Sequence, residues 1–343
     1  MKVSNIKDVK LSVLVIAYER KEFIKEALLS VLDQTIPRNQ YEIICIVGFK
    51  DEGISTFLKE NNITEIYCHC RIGKNLSVGL NSCKGDYIVF LEDDDKFTRD
   101  KLELVLKAFE NNNIIYYHNN HEIIDKYSQI LNLNQVKKKS FDRQFTRSTL
   151  WNPPHHYRRV IKYQGSFNLS SIAVNRSHII KYNSVLAKIE VAADNIVFFL
   201  LLQYDLSFFF DISSTTLYRM HTNSETHTIH GDRTGAIGTL NRRYYSIFVV
   251  YKSSKSALVK KICVGWMLYA KFLAYLLGDK DIRPSFIAKL KLLYYSLTAP
   301  AQNKSYLTLL IAVFIHRIFP TYVYNTIKRT KKFNDIYTEN QKR

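Results

Sequence analysis

The chain has 343 residues, of which 46% are hydrophobic and 23% charged, so it can form one or two domains with a substantial core. Six prolines and eleven glycines argue against long disordered linkers, and five cysteines exclude a disulfide framework and favour a reducing compartment. The net charge of +18 is uneven, because residues 241–343 hold 19 Lys and Arg but only 4 Asp and Glu. We therefore predict two regions, residues 1–240 and a basic, largely helical region at residues 241–343.

Strands and helices alternate in the first 110 residues. Four mostly apolar runs predict strands at residues 11–17, 41–47, 65–70 and 86–91. Helical spacing of apolar residues predicts helices near residues 23–32, 54–59, 76–82 and 102–109. This order is typical of an α/β fold with a mostly parallel, Rossmann-like sheet flanked by helices. Ligands bind such sheets at the carboxyl ends of the strands.

The pair Cys68 and Cys70, with His69 between them, could be taken for a metal site. Their spacing does not match a zinc site, and no second Cys/His pair follows nearby. We therefore expect small, buried residues of the third strand.

Four consecutive carboxylates, Glu92 to Asp95, follow the fourth predicted strand. Adjacent negative charges repel one another and are costly unless water or a cation neutralises them. Acidic runs are common in solvated turns, but this one stands where the fold places a ligand site. A hard divalent cation, Mg²⁺ or Mn²⁺, binds carboxylate oxygens and also clamps phosphates, so we predict such an ion here.

Residues 134–165 carry eight Lys and Arg against the single acid Asp142. The segment is either a lid or binding loop near the site or a solvated basic surface. After it we expect a strand at 168–175, a helix at 194–204 and two short strands within 206–218.

The region from residue 241 onward shows a helical pattern with basic and aromatic residues. The segments 258–277 and 306–324 are apolar but interrupted by charges or proline, so neither is a clean membrane span. Residues 258–277 have the profile of a helix lying in a membrane interface. An ordinary helical subdomain with basic outer faces explains the same pattern.

Residues 11–97 resemble the family 2 glycosyltransferases, which have the GT-A fold. Val15–Arg20 (VIAYER) resembles the first strand of that family, and residues 27–35 (ALLSVLDQT) resemble its first helix. Residues 85–95 (GDYIVFLEDDD) resemble the run that contains its metal-binding DxD motif. Downstream, residues 192–195 resemble the motif of the general base, and residues 218–224 resemble a Tyr-Arg-x-His segment.

The resemblance implies an inverting, metal-dependent glycosyltransferase that moves a sugar from a nucleotide-sugar donor to a hydroxyl of a glycan or lipid-linked acceptor. It implies that Asp194 is the catalytic base, although Asp194 could instead cap the helix that follows. The residues implied to bind the nucleotide sugar are Ala17, Tyr18, Arg20, Asp51, Glu92, Asp93 and Arg219. The implied metal ligands are Asp94, Asp95 and His221, although His221 could be an ordinary surface histidine.

Two loops depart from the family pattern. The family usually has Asp-Asp-Gly-Ser after the second strand, where this chain has Val47–Lys50 followed by Asp51. An expected Arg-Asn pair is replaced by Leu76 and Ser77. The departures leave the donor nucleotide open.

Other functions remain possible from the sequence. The charge alone would suit a nucleic-acid-binding protein, but the acidic cluster opposes it, so no nucleic acid partner is expected. A nucleotidyltransferase also clamps phosphates with paired acids, and a non-catalytic relative would keep the same pattern. The basic region predicts an anionic membrane surface as partner and a cytoplasmic, peripheral location.

Overall fold

The computed structural model describes residues 9–131, 143–146, 165–221, 233–282 and 284–298, together with 311 and 313. The chain divides into two compact units, Met1–Met220 and His221–Arg343. The predicted boundary at residue 240 lies inside a helix of the second unit. The roles assigned to the two regions stay predictions.

The first unit is built on one sheet. Its strands in the described part of the chain are β1 (Leu11–Ala17), β2 (Tyr41–Val47), β3 (Thr64–Tyr67), β4 (Tyr87–Glu92), β5 (Lys96–Phe97), β6 (Ile114–Ile124), β7 (Arg143–Phe145), β8 (Ile172–Asn175) and β9 (Ser207–Arg219). They are arranged in the order β3-β2-β1-β4-β8-β6-β9-β5, and β7 pairs with β9. The first four strands of this order are parallel to one another. Beyond β4 the sheet is mixed, because β8 is antiparallel to both β4 and β6 whereas β6 and β9 are parallel.

Helices cover both faces of the parallel half. In the described part of the first unit the helices are α1 (Ile24–Leu32), α2 (Glu52–Glu60), α3 (Ile72–Ser82), α4 (Lys101–Asn112), α5 (Arg176–Ile179), α6 (Asn183–Leu186) and α7 (Ala193–Leu201). Helix α1 shares a core with Val13 and Val15 of β1. On the opposite face, α3 lies so close that a Cβ on Gly79 would stand 2.3 Å from Leu14. Every residue of β1 is therefore buried, as a central parallel strand requires.

Three boundaries differ from the sequence prediction. Strand β3 ends at Tyr67, so Cys68, His69 and Cys70 follow the strand, and the two thiols are half-buried rather than core residues. Residues 169–171 form a 3₁₀ turn, and β8 begins only at residue 172. The two short strands expected within 206–218 are one continuous strand, β9, whose bend is absorbed by irregular pairing with β6.

The second unit is helical where it is described. Its helices are α8 (Arg233–Ser253), α9 (Ala257–Leu276) and α10 (Phe286–Thr298). The segment 258–277 coincides with α9, and most of its apolar side chains are buried in the core of this unit, so they do not form a free membrane-facing surface. Of the segment 306–324, only residues 311 and 313 belong to the described residues. Among the helices described, none combines the length and apolarity needed to cross a bilayer.

Candidate active site

The four carboxylates lie at the carboxyl edge of the parallel strands. Glu92 is the last residue of β4 and pairs with Ile16 near the end of β1. Asp93, Asp94 and Asp95 follow and are nearly inaccessible, with 1%, 7% and 1% of their surface exposed. Buried carboxylates this close together require a compensating positive charge or a proton.

Arg20 supplies part of that charge from the loop after β1. Its Nη2 lies 2.5 Å from Asp93 Oδ1, and its Nη1 lies 2.6 Å from Asp94 Oδ2. Burial raises the pKa of Asp93 despite Arg20, and burial together with the neighbouring carboxylates raises the pKa values of Glu92 and Asp95. One guanidinium therefore does not balance four acids. Arg20, predicted to bind the nucleotide sugar, contacts the acidic cluster directly.

The unused oxygens of the cluster fit a hard divalent cation. Asp93 Oδ2 and Asp95 Oδ2 are buried and make no hydrogen bond among the described residues. Carboxylate oxygens are the ligands that Mg²⁺ and Mn²⁺ prefer, so these two atoms suit such an ion. Within the described ranges, however, no three His, Cys, Asp or Glu side chains already form a ligand set. A bound ion would therefore take further ligands from phosphate or water.

Arg219, at the end of β9, donates every side-chain N–H to another group of the protein. It is fully buried, and its Nε donates to the Asp94 carbonyl at 2.7 Å. Nη1 donates to the carbonyls of Asp125 and Lys126. Nη2 donates to Glu26 Oε2 and to the Ser128 hydroxyl, each at 3.0 Å. All five N–H groups are thus engaged, and a contact with a diphosphate, which the sequence predicted, would require breaking one of these bonds.

The backbone of Arg219 reaches the acidic cluster as well. Its N–H donates to Asp95 Oδ1 at 2.9 Å. Arg219 therefore fixes the carboxylate of Asp95 and the carbonyl of Asp94 at once. His221, the third predicted metal ligand, is buried and is the first residue of the second unit, and its role stays a prediction.

Asp194 lies in the first turn of α7. The residue that precedes the helix is Ala192, with a left-handed φ of 60°, so Asp194 is not the N-cap. Asp194 Oδ2 accepts a hydrogen bond from the backbone N–H of Asn168 at 3.1 Å, and Oδ1 accepts two from Asn195. Burial and the other carboxylates of the cluster raise the pKa of Glu92 most, and the negative charge of Asp194 adds to the shift.

Tyr18 and His69 form an aromatic pair at the ends of β1 and β3. Their rings are parallel within 4°, with centroids 5.6 Å apart. His69 Nδ1 lies 2.7 Å from the Gly48 carbonyl, which can only accept, so this nitrogen donates. A Cβ on Gly48 would stand 2.1 Å from the Tyr18 carbonyl, so only glycine fits. His69 was not among the predicted site residues. It follows β3 by two residues, and β3 ends at the same edge of the sheet as β1 and β2, so its position in the sequence could have indicated it.

Asp51 and Ala17 have local structural roles. Asp51 caps α2 by accepting the N–H of Ile54 at 3.0 Å, and its other oxygen pairs with Lys21 at 3.1 Å. The Ala17 carbonyl accepts the N–H of Gly48 at 2.7 Å. Their predicted contact with a nucleotide stays a prediction. Of the segment 134–165, only residues 143–146 and 165 lie inside the described part of the chain.

Comparison with known proteins agrees with this geometry. The model of the family "Glycosyl transferase family 2" matches residues 12–176, which include β1 to β4 and the acidic cluster. Residues 12–176 are a family 2 glycosyltransferase domain.

Several glycosyltransferases are similar to this domain in sequence. An uncharacterised glycosyltransferase of Rickettsia bellii is 34% identical over 133 residues, which are 37% of this chain and 19% of that protein. One from Haemophilus influenzae is 32% identical over 113 residues, 31% of this chain and 38% of that protein. This chain thus spans about a fifth of the length of the Rickettsia relative.

Solved structures confirm the predicted GT-A fold of the family 2 glycosyltransferase domain. The fragment 1–349 of S. aureus TarS has a TM-score of 0.58 at 12% identity, covering 94% of this chain and 91% of that one. The mannosyltransferase PcManGT from Pyrobaculum calidifontis, in complex with GDP-Man and Mn²⁺, has a TM-score of 0.53 at 14% identity, covering 94% and 86%. At these identities the likeness concerns the fold alone.

Proposed function

We propose that the protein is an inverting, metal-dependent glycosyltransferase that moves a sugar from a nucleotide-sugar donor to a hydroxyl of a glycan or lipid-linked acceptor. The observation that carries this proposal is the buried cluster Asp93–Asp95 directly after β4 in a domain that matches family 2, with Asp194 among the charges that raise the pKa of Glu92. One carboxylate can then remove a proton while the others serve the phosphate side of the donor.

Each residue has a distinct part in the proposed reaction. Asp194 accepts the proton of the acceptor hydroxyl as the oxygen attacks the anomeric carbon of the donor sugar. Asp94 and Asp95, joined by Asp93 Oδ2, an atom without a hydrogen bond in the described part of the chain, would hold a Mg²⁺ or Mn²⁺ ion, which would neutralise charge that develops on the departing nucleoside diphosphate. Glu92 and Asp93 line the donor side, and Tyr18 offers its ring to the nucleobase. TarS with UDP and UDP-GlcNAc, and PcManGT with GDP-Man and Mn²⁺, support a nucleotide-sugar donor and a divalent ion.

Two measurements test this function. Nucleotide sugars screened by thermal shift, with and without Mn²⁺, should include at least one that raises Tm only with the metal. Incubation with that donor should release a nucleoside diphosphate, whereas a nucleotidyltransferase would release pyrophosphate. Asp194→Asn should keep donor binding and lose transfer. If no nucleotide sugar binds under any metal condition, the proposal is wrong.

The second unit is proposed to lie against an anionic membrane surface on the cytoplasmic side. Helix α10 exposes a stripe of large apolar side chains at helical spacing, and two lysines, Lys289 and Lys291, lie on the same helix. The stripe consists of Phe286, Ile287, Leu290, Leu293 and Tyr294. Apolar insertion and attraction to acidic head groups would act together.

Vesicle sedimentation tests this placement. The protein should bind vesicles containing phosphatidylserine, and the binding should weaken with salt and with Leu290→Glu. Ile212→Glu, at a large apolar residue in β9 that is also exposed, is the matched control and should bind like wild type. If both variants bind vesicles as well as wild type does, the stripe is not the membrane contact.

A further inference from the structure

We propose that Asn168 and Ser170, in the turn before β8, are positioning residues that hold Asp194 at a fixed distance from the end of β4, where the acidic cluster begins at Glu92. The inference rests on the function proposed above, because it assigns the acids to opposite ends of one transfer reaction. It concerns residues that lie outside every motif recognised in the sequence.

Ser170 contacts the first residue of the acidic cluster. It is fully buried, and its hydroxyl oxygen accepts the backbone N–H of Glu92 at 3.0 Å. Its side chain therefore fixes the backbone at the end of β4, directly before Asp93, Asp94 and Asp95. The Ser170 carbonyl accepts the hydroxyl of Thr216 at 3.1 Å, which fastens the turn to β9.

Asn168 extends this connection to Asp194. Its side-chain oxygen accepts the N–H of Ser170 at 2.8 Å, and its own N–H donates to Asp194 Oδ2 at 3.1 Å. The residue has a φ of 67°, a left-handed conformation that asparagine tolerates better than most residues. This conformation directs the backbone N–H and the side chain of one residue to two different partners.

The result is a continuous hydrogen-bonded path from Asp194 through Asn168 and Ser170 to the backbone of Glu92. Its two middle residues are almost entirely buried, with Asn168 3% and Ser170 0% exposed. Helix α7 and strand β4 are about one hundred residues apart in the sequence, so their relative position depends on contacts of this kind. A general base and the groups that stabilise a leaving group act together only when their separation is fixed.

Ser171 offers a matched control. It is as buried as Ser170, but its hydroxyl makes no hydrogen bond among the described residues. Ser170→Ala and Ser171→Ala therefore remove the same atom from adjacent positions, and only the first breaks the path. With the responsive donor, we expect Ser170→Ala to lower kcat about 10- to 100-fold with KM changed less than threefold, and Ser171→Ala to stay within twofold of wild type.

A direct binding measurement gives a readout that does not depend on turnover. Mn²⁺ binding in the presence of UDP or GDP, followed by electron paramagnetic resonance, should weaken about tenfold or more in Ser170→Ala and remain unchanged in Ser171→Ala. A second pair of variants covers the case in which Ser170→Ala does not fold. Asn168→Gly keeps the left-handed backbone but removes the acceptor for Ser170, so kcat should fall. Asn113→Gly, at another asparagine of positive φ, should not lower it.

The outcomes separate the two proposals. If the wild type transfers sugar and Ser170→Ala matches Ser171→Ala in kcat and in Mn²⁺ affinity, the positioning role is wrong and the enzyme assignment survives. Loss of thermal stability in Ser170→Ala without any change in kcat or Mn²⁺ affinity would also overturn the positioning role. If the wild type neither binds nor turns over a nucleotide sugar, the proposed function falls, and the positioning role falls with it.

Discussion

Replacing Arg219 with methionine should destabilise the first unit strongly. Methionine fills a similar volume but has no donor, so the five side-chain hydrogen bonds of Arg219 are lost, including the ion pair with Glu26. The carbonyls of Asp94, Asp125 and Lys126 lose their donor, at about 1–3 kcal/mol for each that stays buried. The partly exposed Glu26 can be hydrated, so the loss should be about 3–5 kcal/mol. At about 2–4 °C per kcal/mol for a unit of this size, Tm should fall by about 6–20 °C. Lysine has three donors on one nitrogen and can restore only part of the network, so Arg219→Lys should lie between methionine and wild type.

Thermal melting combined with Mn²⁺ binding measures the two expected effects of the Arg219 substitutions. Lys101→Met is the control, because Lys101 is also a fully buried cation but its hydrogen bonds go to Asn119 and Thr216 rather than to the acidic cluster. Both methionine variants should lose stability, and only Arg219→Met should also lose Mn²⁺ affinity below its transition. A melting curve of Arg219→Lys that matches wild type, together with much weaker binding of UDP or GDP, would contradict the structural role of Arg219. That result would make Arg219 a nucleotide ligand, as the sequence motif predicted.

Local contacts elsewhere in the protein give three more predictions. Gly48→Ala should lower Tm by several degrees in a thermal melt, because the added Cβ would collide with the backbone of Tyr18. Gly53→Ala, at an exposed position in α2, should leave Tm unchanged or raise it slightly. Equal changes in Tm for the two variants would contradict this prediction. Burial raises the pKa of Glu26, but the hydroxyl of Ser128 and the charge of Arg219 lower it more, so the pKa lies below its ordinary value of 4.5. The stability that the ionised Glu26 contributes should therefore be lost as the pH falls below 4.5. In urea titrations at about pH 3–6, the free energy of unfolding of Glu26→Gln should fall less steeply with acid than that of wild type, and an equal fall would count against this role. With an aromatic disulfide reagent, the half-buried Cys68 and Cys70 should react in the native protein, and a third native thiol would contradict the burial. The thiols expected to react only after unfolding are Cys45, Cys83 and Cys263.

The sequence was most informative where one strand or helix carries a complete local pattern. The apolar runs at residues 11–17 and 41–47 are β1 and β2 with the predicted bounds, because strands buried on both faces need continuous apolar side chains. The acidic cluster was placed correctly for a related reason: it directly follows a strand of the same kind, and parallel strands bring their carboxyl ends to one edge.

Strand β6 is an element that apolar patterns in the sequence do not predict. Its centre is the polar run His118–His121, which no apolar pattern reveals, yet these residues are 0–6% exposed. They are tolerated because their polar groups find partners inside the fold. His118 bonds to the Phe167 carbonyl, Asn119 to the hydroxyl of Thr216 and Asn120 to the Ile212 carbonyl. Such partners come from distant segments, so only the folded structure identifies them.

The partners of the charged residues in the site also could not be predicted from the sequence. A motif identifies Arg20 and Arg219 as basic residues near a nucleotide site, but it does not say which anions they neutralise. In the structure Arg20 pairs with Asp93 and Asp94, while Arg219 pairs with Glu26 and braces the cluster through its backbone. Their predicted contact with the nucleotide sugar stays a prediction. The negative charge that remains on the cluster has to be balanced by protons or by an added cation, and only a cation can at the same time attract the diphosphate of a donor.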